Sequence, residues 1–245
     1  MLIIPAIDIK DGRCVRLYQG DMDQETVYYQ EPLDAARHLV EEGARMIHVV
    51  DLNGAVEGRP VHLSELAGIC AESGVAVEVG GGLRTLEAVE QAMAAGVARV
   101  VIGTKAYEDP EFLRGACERF PGQVVVGIDA RAGKVAVRGW RDDTAMDALE
   151  LARRCEQDGA ARIIYTDISR DGTGAGVNAE QTAQVARAVG IPVIASGGVG
   201  SLDDIRALAG FAGDGIEGVI VGRALYNGAF TIAEAMAAAG GGDAD

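Results

Sequence analysis

Four short apolar runs in this chain each end in an aspartate: Asp8, Asp51, Asp129 and Asp167. A carboxylate where a strand gives way to a loop has two ordinary uses. It can cap the turn or helix that follows, or it can face a pocket and move protons. Capping is the commoner use for any one of them. Asp8 and Asp129 stand apart because they close the first and fifth of eight apolar runs and their surroundings repeat. Ile7-Asp8 with Asp11-Gly12-Arg13 corresponds to Ile128-Asp129 with Ala132-Gly133-Lys134. Two opposed carboxylates can divide labour as base and acid, so this pair is read as catalytic. Asp51 and Asp167 are read as loop buttresses or ligands of substrate hydroxyls.

Glycines repeat in the same way. Gly81-Gly82-Leu83 corresponds to Gly197-Gly198-Val199, and Ile102-Gly103-Thr104 to Val221-Gly222-Arg223. A strand that turns at once into a helix leaves the first helical N–H groups unpaired. Glycine lets a ligand approach them, and the helix dipole adds partial positive charge. One such turn need be no more than a tight connection. A duplicated pair suggests a ligand with two phosphates. Gly82, Arg84, Gly103 and Thr104 are assigned to one cradle, and Asp171, Gly172, Gly198, Gly222 and Arg223 to the other. Arg84 faces Gly200 in the repeat, so the cradles are not equivalent, and a solvated residue at a helix start is its alternative reading.

The elements that must hold these groups alternate. Strands are expected at Leu2–Asp8, Arg45–Asp51, Val75–Gly80, Val97–Ile102, Val124–Asp129, Arg162–Asp167, Pro192–Ser196 and Gly218–Val221. Helices are expected at Pro32–Glu42, Leu63–Ser73, from Leu86 with Val89 and Met93 inward, and at Asp109–Arg119. Four more are expected at Ala145–Asp158, Ala179–Val189, Asp203–Ala209 and Ile232–Ala239. Lys10–Gln30 reads as a long loop, Asn53–Val61 as a glycine-containing loop, and Arg131–Asp143 as a loop with a small hairpin. Continuous apolar strands mean burial on both faces. Eight strand–helix units with a repeat at half length predict an α/β (β/α)8 barrel, one domain over 1–239, with a frayed tail at 240–245. A doubly wound sheet is the runner-up, but it leaves the repeat unexplained.

Composition limits the partners. The 245 residues carry a formal net charge of −15, which disfavours nucleic acid and anionic membranes. Cys14, Cys70, Cys117 and Cys155 lie far apart, as expected of free thiols in a reducing cytosol. His38, His48 and His62 make no metal-ligand spacing with them, so no metal is expected. The first ten residues read as a strand and not as a signal peptide.

The motifs PAIDIKDGRCVRLYQGD, HVVDLNGA, VGGGLR, IGT, GIDARAGKVAVRGW and TDISRDGTGAG occur in that order along essentially the whole chain. Together they resemble the ProFAR isomerase family of histidine biosynthesis. That family converts the bis-phosphorylated aminoaldose ProFAR to the aminoketose PRFAR by an Amadori rearrangement, without a metal or organic cofactor. The resemblance implies that Asp8 is the proton acceptor and Asp129 the proton donor. It gives Thr166 a supporting role at the acid, with β-propensity alone as the alternative, and Trp140 a place on a mobile loop that stacks on the substrate base. Arg16, Gln19 and Gly20 are expected in a lid over the same site. His48 is expected to touch substrate or a catalytic carboxylate, with a satisfied interior histidine as the alternative. The family default is a cytoplasmic monomer acting on a small molecule. Three alternatives stay open: the cyclase subunit of imidazole glycerol phosphate synthase, a dual-substrate isomerase that also takes phosphoribosylanthranilate through Arg138, Trp140 and Arg141, and a non-catalytic bis-phosphate sensor.

Overall fold

The computed structural model describes residues 1–240. Eight parallel strands close on themselves: β1 (Leu2–Lys10), β2 (Met46–Asp51), β3 (Ala76–Gly80), β4 (Arg99–Ile102), β5 (Val124–Arg131), β6 (Arg162–Asp167), β7 (Val193–Ser196) and β8 (Ile216–Val221). Each pairs with the next, β8 pairs back to β1, and a helix follows every strand on the outside. This is the expected (β/α)8 barrel. The main helices run Pro32–Glu41, Leu63–Ser73, Leu86–Ala94, Pro110–Arg119, Ala148–Gln157, Ala179–Ala188, Leu202–Ala209 and Ile232–Ala238. No described helix is long and apolar enough to cross a membrane. The expected frayed tail lies, apart from Gly240, outside the described residues.

Alternation along the strands makes two cores. Residues facing outward pack against the helices, among them Ile3, Ile7, Ile47, Val126, Ile128 and Ile163. Residues facing inward form a separate cluster of Ile4, Ala6, Met46, Val101, Val125, Ile164, Ile194 and Ile220. A strand repeats every two residues. Continuing the inward series therefore delivers Asp8 after Ala6, His48 after Met46, Glu78 after Ala76, Asp129 after Val125 and Gly127, and Thr166 after Ile164. The apolar filling sits beneath the mouth, and truncating an interior isoleucine such as Ile164 to Ala should cost about 2–5 kcal/mol.

Several local expectations need correction. Lys10–Gln30 is not a loop but a hairpin, Arg13–Tyr18 with Asp21–Tyr29, that extends β1. Its turn residues Gln19 and Gly20 have φ of 49° and 73°, the left-handed pair that a two-residue turn between twisted strands requires. Asp11-Gly12 and Ala132-Gly133 make the same kind of turn at matched points, with φ of 51° and 74°, and 50° and 78°. The repeat seen in the residues is thus repeated in the backbone. The second hairpin pairs Lys134–Val137 with Asp142–Asp147, so the following helix begins at Ala148, where Asp147 accepts from Leu149 N. Short helices at Leu52–Glu57, Thr104–Glu108 and Arg223–Tyr226 occupy stretches read as connections. Leu86 is exposed at the first turn of its helix, whose buried face is Ala88, Val89 and Ala92.

Candidate active site

The mouth at the C-terminal ends of the strands gathers most of the expected chemistry. Asp8 ends the inward series of β1, and its Oδ1 lies 3.0 Å from Arg16 Nη1 on the hairpin above. Burial pushes the Asp8 carboxyl above the usual carboxylate range. The Arg16 guanidinium opposes that rise, and His48 is the second group that bears on it. Arg16 itself is mostly buried, and its guanidinium occupies the space that a Cβ on Gly222 would need. It joins the first carboxylate to the second glycine cradle.

Asp129 faces the mouth from the other side with neutral partners. Its Oδ2 accepts from Trp140 Nε1 at 2.8 Å. Thr166, directly across the β5–β6 register, offers its hydroxyl. Burial again raises the carboxyl, against these two hydrogen bonds and the more distant His48. Trp140 and Arg138 hold left-handed backbone, φ of 69° and 56°, unusual for residues with a Cβ. The indole presses on the glycine of the first hairpin: a Cβ on Gly20 would lie 2.5 Å from it. The two hairpins therefore meet over the site.

The second cradle is a pocket walled by Asp171, Gly172, Gly198, Gly222, Arg223 and Arg16. Arg223 Nη1 donates to Gly172 O at 2.5 Å. Asp171 is more than a cradle residue. Burial raises its pKa from 3.8 to about 6, with Arg16 opposing and the charges of Asp8 and Asp129 raising it further. It is a third carboxyl coupled to the opposed pair. Of the first cradle, Gly103 is open and Thr104 Oγ1 accepts from Arg138 N at 2.8 Å. Gly82 backs onto the carbonyls of Arg59 and Gly54. Arg84 is exposed and donates from Nη2 to Ala55 O at 2.7 Å, stacked along Gly58. Gln19 reaches Ser169 O at 3.4 Å.

Asp51 and Asp167 act as loop buttresses. Asp51 accepts from the N–H groups of Gly54, Val61 and His62 at 2.7, 2.6 and 3.0 Å. Asp167 accepts from Ser169 N and Oγ and from Asn178 Nδ2. Among the described residues no group of His, Cys, Asp and Glu could hold a metal ion.

Two residues of the site escaped the sequence reading. Glu78 is fully buried on β3 and pairs with His48 Nδ1 at 2.9 Å. Its signal was available: one charge in the apolar run VAVEVG. Tyr226 donates to Ala6 O at 2.8 Å and pins β1 two residues before Asp8. Nothing in its local sequence announces that contact, which joins residues 220 positions apart.

The sequence matches the model of the family described as histidine biosynthesis protein over residues 2–231. A curated protein of Moorella thermoacetica is 51% identical over 243 residues, 99% of this chain and 100% of that one. It is named 1-(5-phosphoribosyl)-5-((5-phosphoribosylamino)methylideneamino)imidazole-4-carboxamide isomerase, that is, ProFAR isomerase. Relatives of the same name from Dinoroseobacter shibae and Synechocystis sp. are 52% and 51% identical, covering 97% and 99% of this chain and 98% and 94% of their own. The chain belongs to the ProFAR isomerase family of histidine biosynthesis. Within that family's barrel, its sites divide in two: a carboxylate facing a cation on the side of β1, and a carboxylate facing neutral donors on the side of β5.

Proposed function

We propose that this protein isomerises ProFAR to PRFAR with Asp8 as base and Asp129 as acid. Asp129 delivers its proton to the ribose ring oxygen as the C1–O bond breaks, and that bond's electron pair stays on oxygen. The glycosylic nitrogen supplies the pair that makes the protonated Schiff base. Asp8 then removes the proton on C2, and the electrons of that C–H bond form the C1–C2 double bond of an enolamine. Proton return at C1, with loss of the C2 hydroxyl proton to the carboxylate that began as the acid, gives the aminoketose and restores both carboxyls. Oxidation at C2 and reduction at C1 balance within one molecule, and the substrate's own nitrogen is the electron sink.

The observation that carries this reading is the unequal company of the two carboxyls. The cation beside Asp8 favours a carboxylate ready to accept a proton, whereas buried Asp129, offered only neutral donors, holds a proton more readily. Thr166 orients the acid. Trp140, with Arg16, Gln19 and Gly20, closes the site and excludes water. One phosphate is assigned to Gly82, Arg84, Gly103 and Thr104, and the other to Gly172, Gly198, Gly222 and Arg223. Arg84 must leave Ala55 to take that part. The four free cysteines support a cytosolic setting.

The test is purified protein with ProFAR, without added metal, coupled to the cyclase, beside Asp8→Asn and Asp129→Asn. The reading expects turnover that both variants lose while still binding substrate. Ammonia-dependent consumption of PRFAR in its place would favour a cyclase, and binding without turnover a sensor.

A further inference from the structure

The interior of a parallel barrel is an expensive place for a lone charge. Glu78 is 0% exposed there, and its Oε2 has no hydrogen-bond partner. The nearest cation to that oxygen is Arg99 Nη1 on β4, at 3.8 Å. Arg99 is shared with Glu217 on β8 at 3.6 Å, and Glu217 is itself held by Arg162 Nε on β6 at 2.6 Å. The fold therefore gains little from this carboxylate that an apolar side chain would not supply. What only the carboxylate supplies is its other contact, Oε1 to His48 Nδ1 at 2.9 Å, across the register that pairs His48 with Glu78.

That contact sets the state of a ring which both catalytic carboxyls feel. A carboxylate oxygen only accepts, so the pairing puts a proton on Nδ1 and leaves Nε2 as the nitrogen not used by β3. His48 stands within electrostatic reach of Asp8 on β1 and of Asp129 on β5. We infer that Glu78 is a positioning residue for the isomerisation: it fixes the tautomer and orientation of His48, the ring that both carboxyls of the mouth feel. The inference rests on the proposed isomerase reading for its kinetic consequence, but not for its structural one. Glu78 touches no reacting atom. It acts only through His48.

Glu78→Gln preserves shape and replaces a group that only accepts with an amide that can accept from or donate to His48 Nδ1. With wild-type turnover of ProFAR established first, the variant should lose roughly tenfold to a hundredfold in kcat with KM little changed. A limb of the kcat pH profile should move with it. His48→Gln should fall by a similar factor, and the double variant no further than His48→Gln alone. In protein labelled with 15N-histidine, the His48 signal, assigned by its loss in His48→Gln, should report Nδ1–H in the wild type and a mixture of tautomers in Glu78→Gln. Glu78→Asp should recover part of the loss. Wild-type kcat and pH profile in Glu78→Gln would overturn the inference, as would additive losses in the double variant. If Glu78→Gln does not fold, His48→Gln decides: full activity there overturns the inference, because it removes the route proposed for Glu78. If the wild type itself does not turn over ProFAR, the isomerase reading fails, and the tautomer measurement alone then upholds or overturns the hold of Glu78 on His48.

Discussion

Asp8 and Asp129 occupy matching places in the two halves of the barrel, each followed by a left-handed two-residue turn and a hairpin. Their neighbours differ. The first hairpin turns Arg16 down onto Asp8, whereas the second turns Trp140 down onto Asp129. One architecture, used twice, carries two electrostatic environments because a single residue in each hairpin differs in charge. Burial raises both carboxyls; a neighbouring cation opposes the rise at Asp8, and two neutral hydrogen-bond donors oppose it at Asp129. The difference teaches that a repeat can supply one geometry twice while the loops give each carboxyl its own electrostatic company.

The largest effect should come from breaking the pair itself. Asp8→Asn and Asp129→Asn are each expected to lower kcat by roughly 10²–10⁴, read in the coupled assay. A large loss in only one of them would mean that the halves are not complementary.

Next comes the third carboxyl. Asp171 has its pKa raised from 3.8 to about 6. A raised carboxyl contributes stability that is complete below its unfolded value and is lost as pH rises through its folded value. Asp171→Asn should therefore match the wild type near pH 3.5 and exceed it by about 2–3 kcal/mol above pH 7. Denaturant unfolding at several pH values measures this. A pH-independent difference would show that the Asp171 carboxyl is not raised in the folded protein.

The architecture common to both halves is tested at Gly81 and Gly197, with φ of 107° and 89°. Each would aim a Cβ at the carbonyl of a buttress, Asp51 or Asp167. Alanine at either should cost roughly 1–3 kcal/mol, and more at Gly81, where the approach is closer. A cost at one site alone would break the structural equivalence.

The smallest effect discriminates most finely. Arg16→Gln removes the cation that lowers Asp8, so the acid limb of the kcat/KM profile should move up. Trp140→Phe removes a donor that lowers Asp129, so the alkaline limb should move up in its turn. If both variants move the same limb, the two carboxyls do not hold separate roles.

The barrel was legible in the sequence because its signals are local: short apolar runs, helical spacing, and glycines at strand ends, repeated at half length. Pro110 and Asp109 mark one helix start plainly, and Asp109 accepts from Phe112 N there. The hairpin after β1 was not legible as strand. Asp21–Tyr29 begins as a polar stretch and buries no residue fully, so its pairing lies in backbone hydrogen bonds that no side-chain period reports. Asp8 and Asp129 could be singled out by repetition, whereas the pairing of Glu78 with His48 depends on register between separate strands. Local sequence does not fix that register. The same holds for Arg84, whose partner Ala55 belongs to a helix that was read as a loop.

The contact between Gly20 and Trp140 bears on the timing of catalysis. Because the turn of one hairpin rests on the indole of the other, the entrance has two leaves latched to each other. Leaves in such contact are expected to swing together, which would make admission and release one shared event. Single-turnover traces should then show one gating phase reported alike by probes on either hairpin.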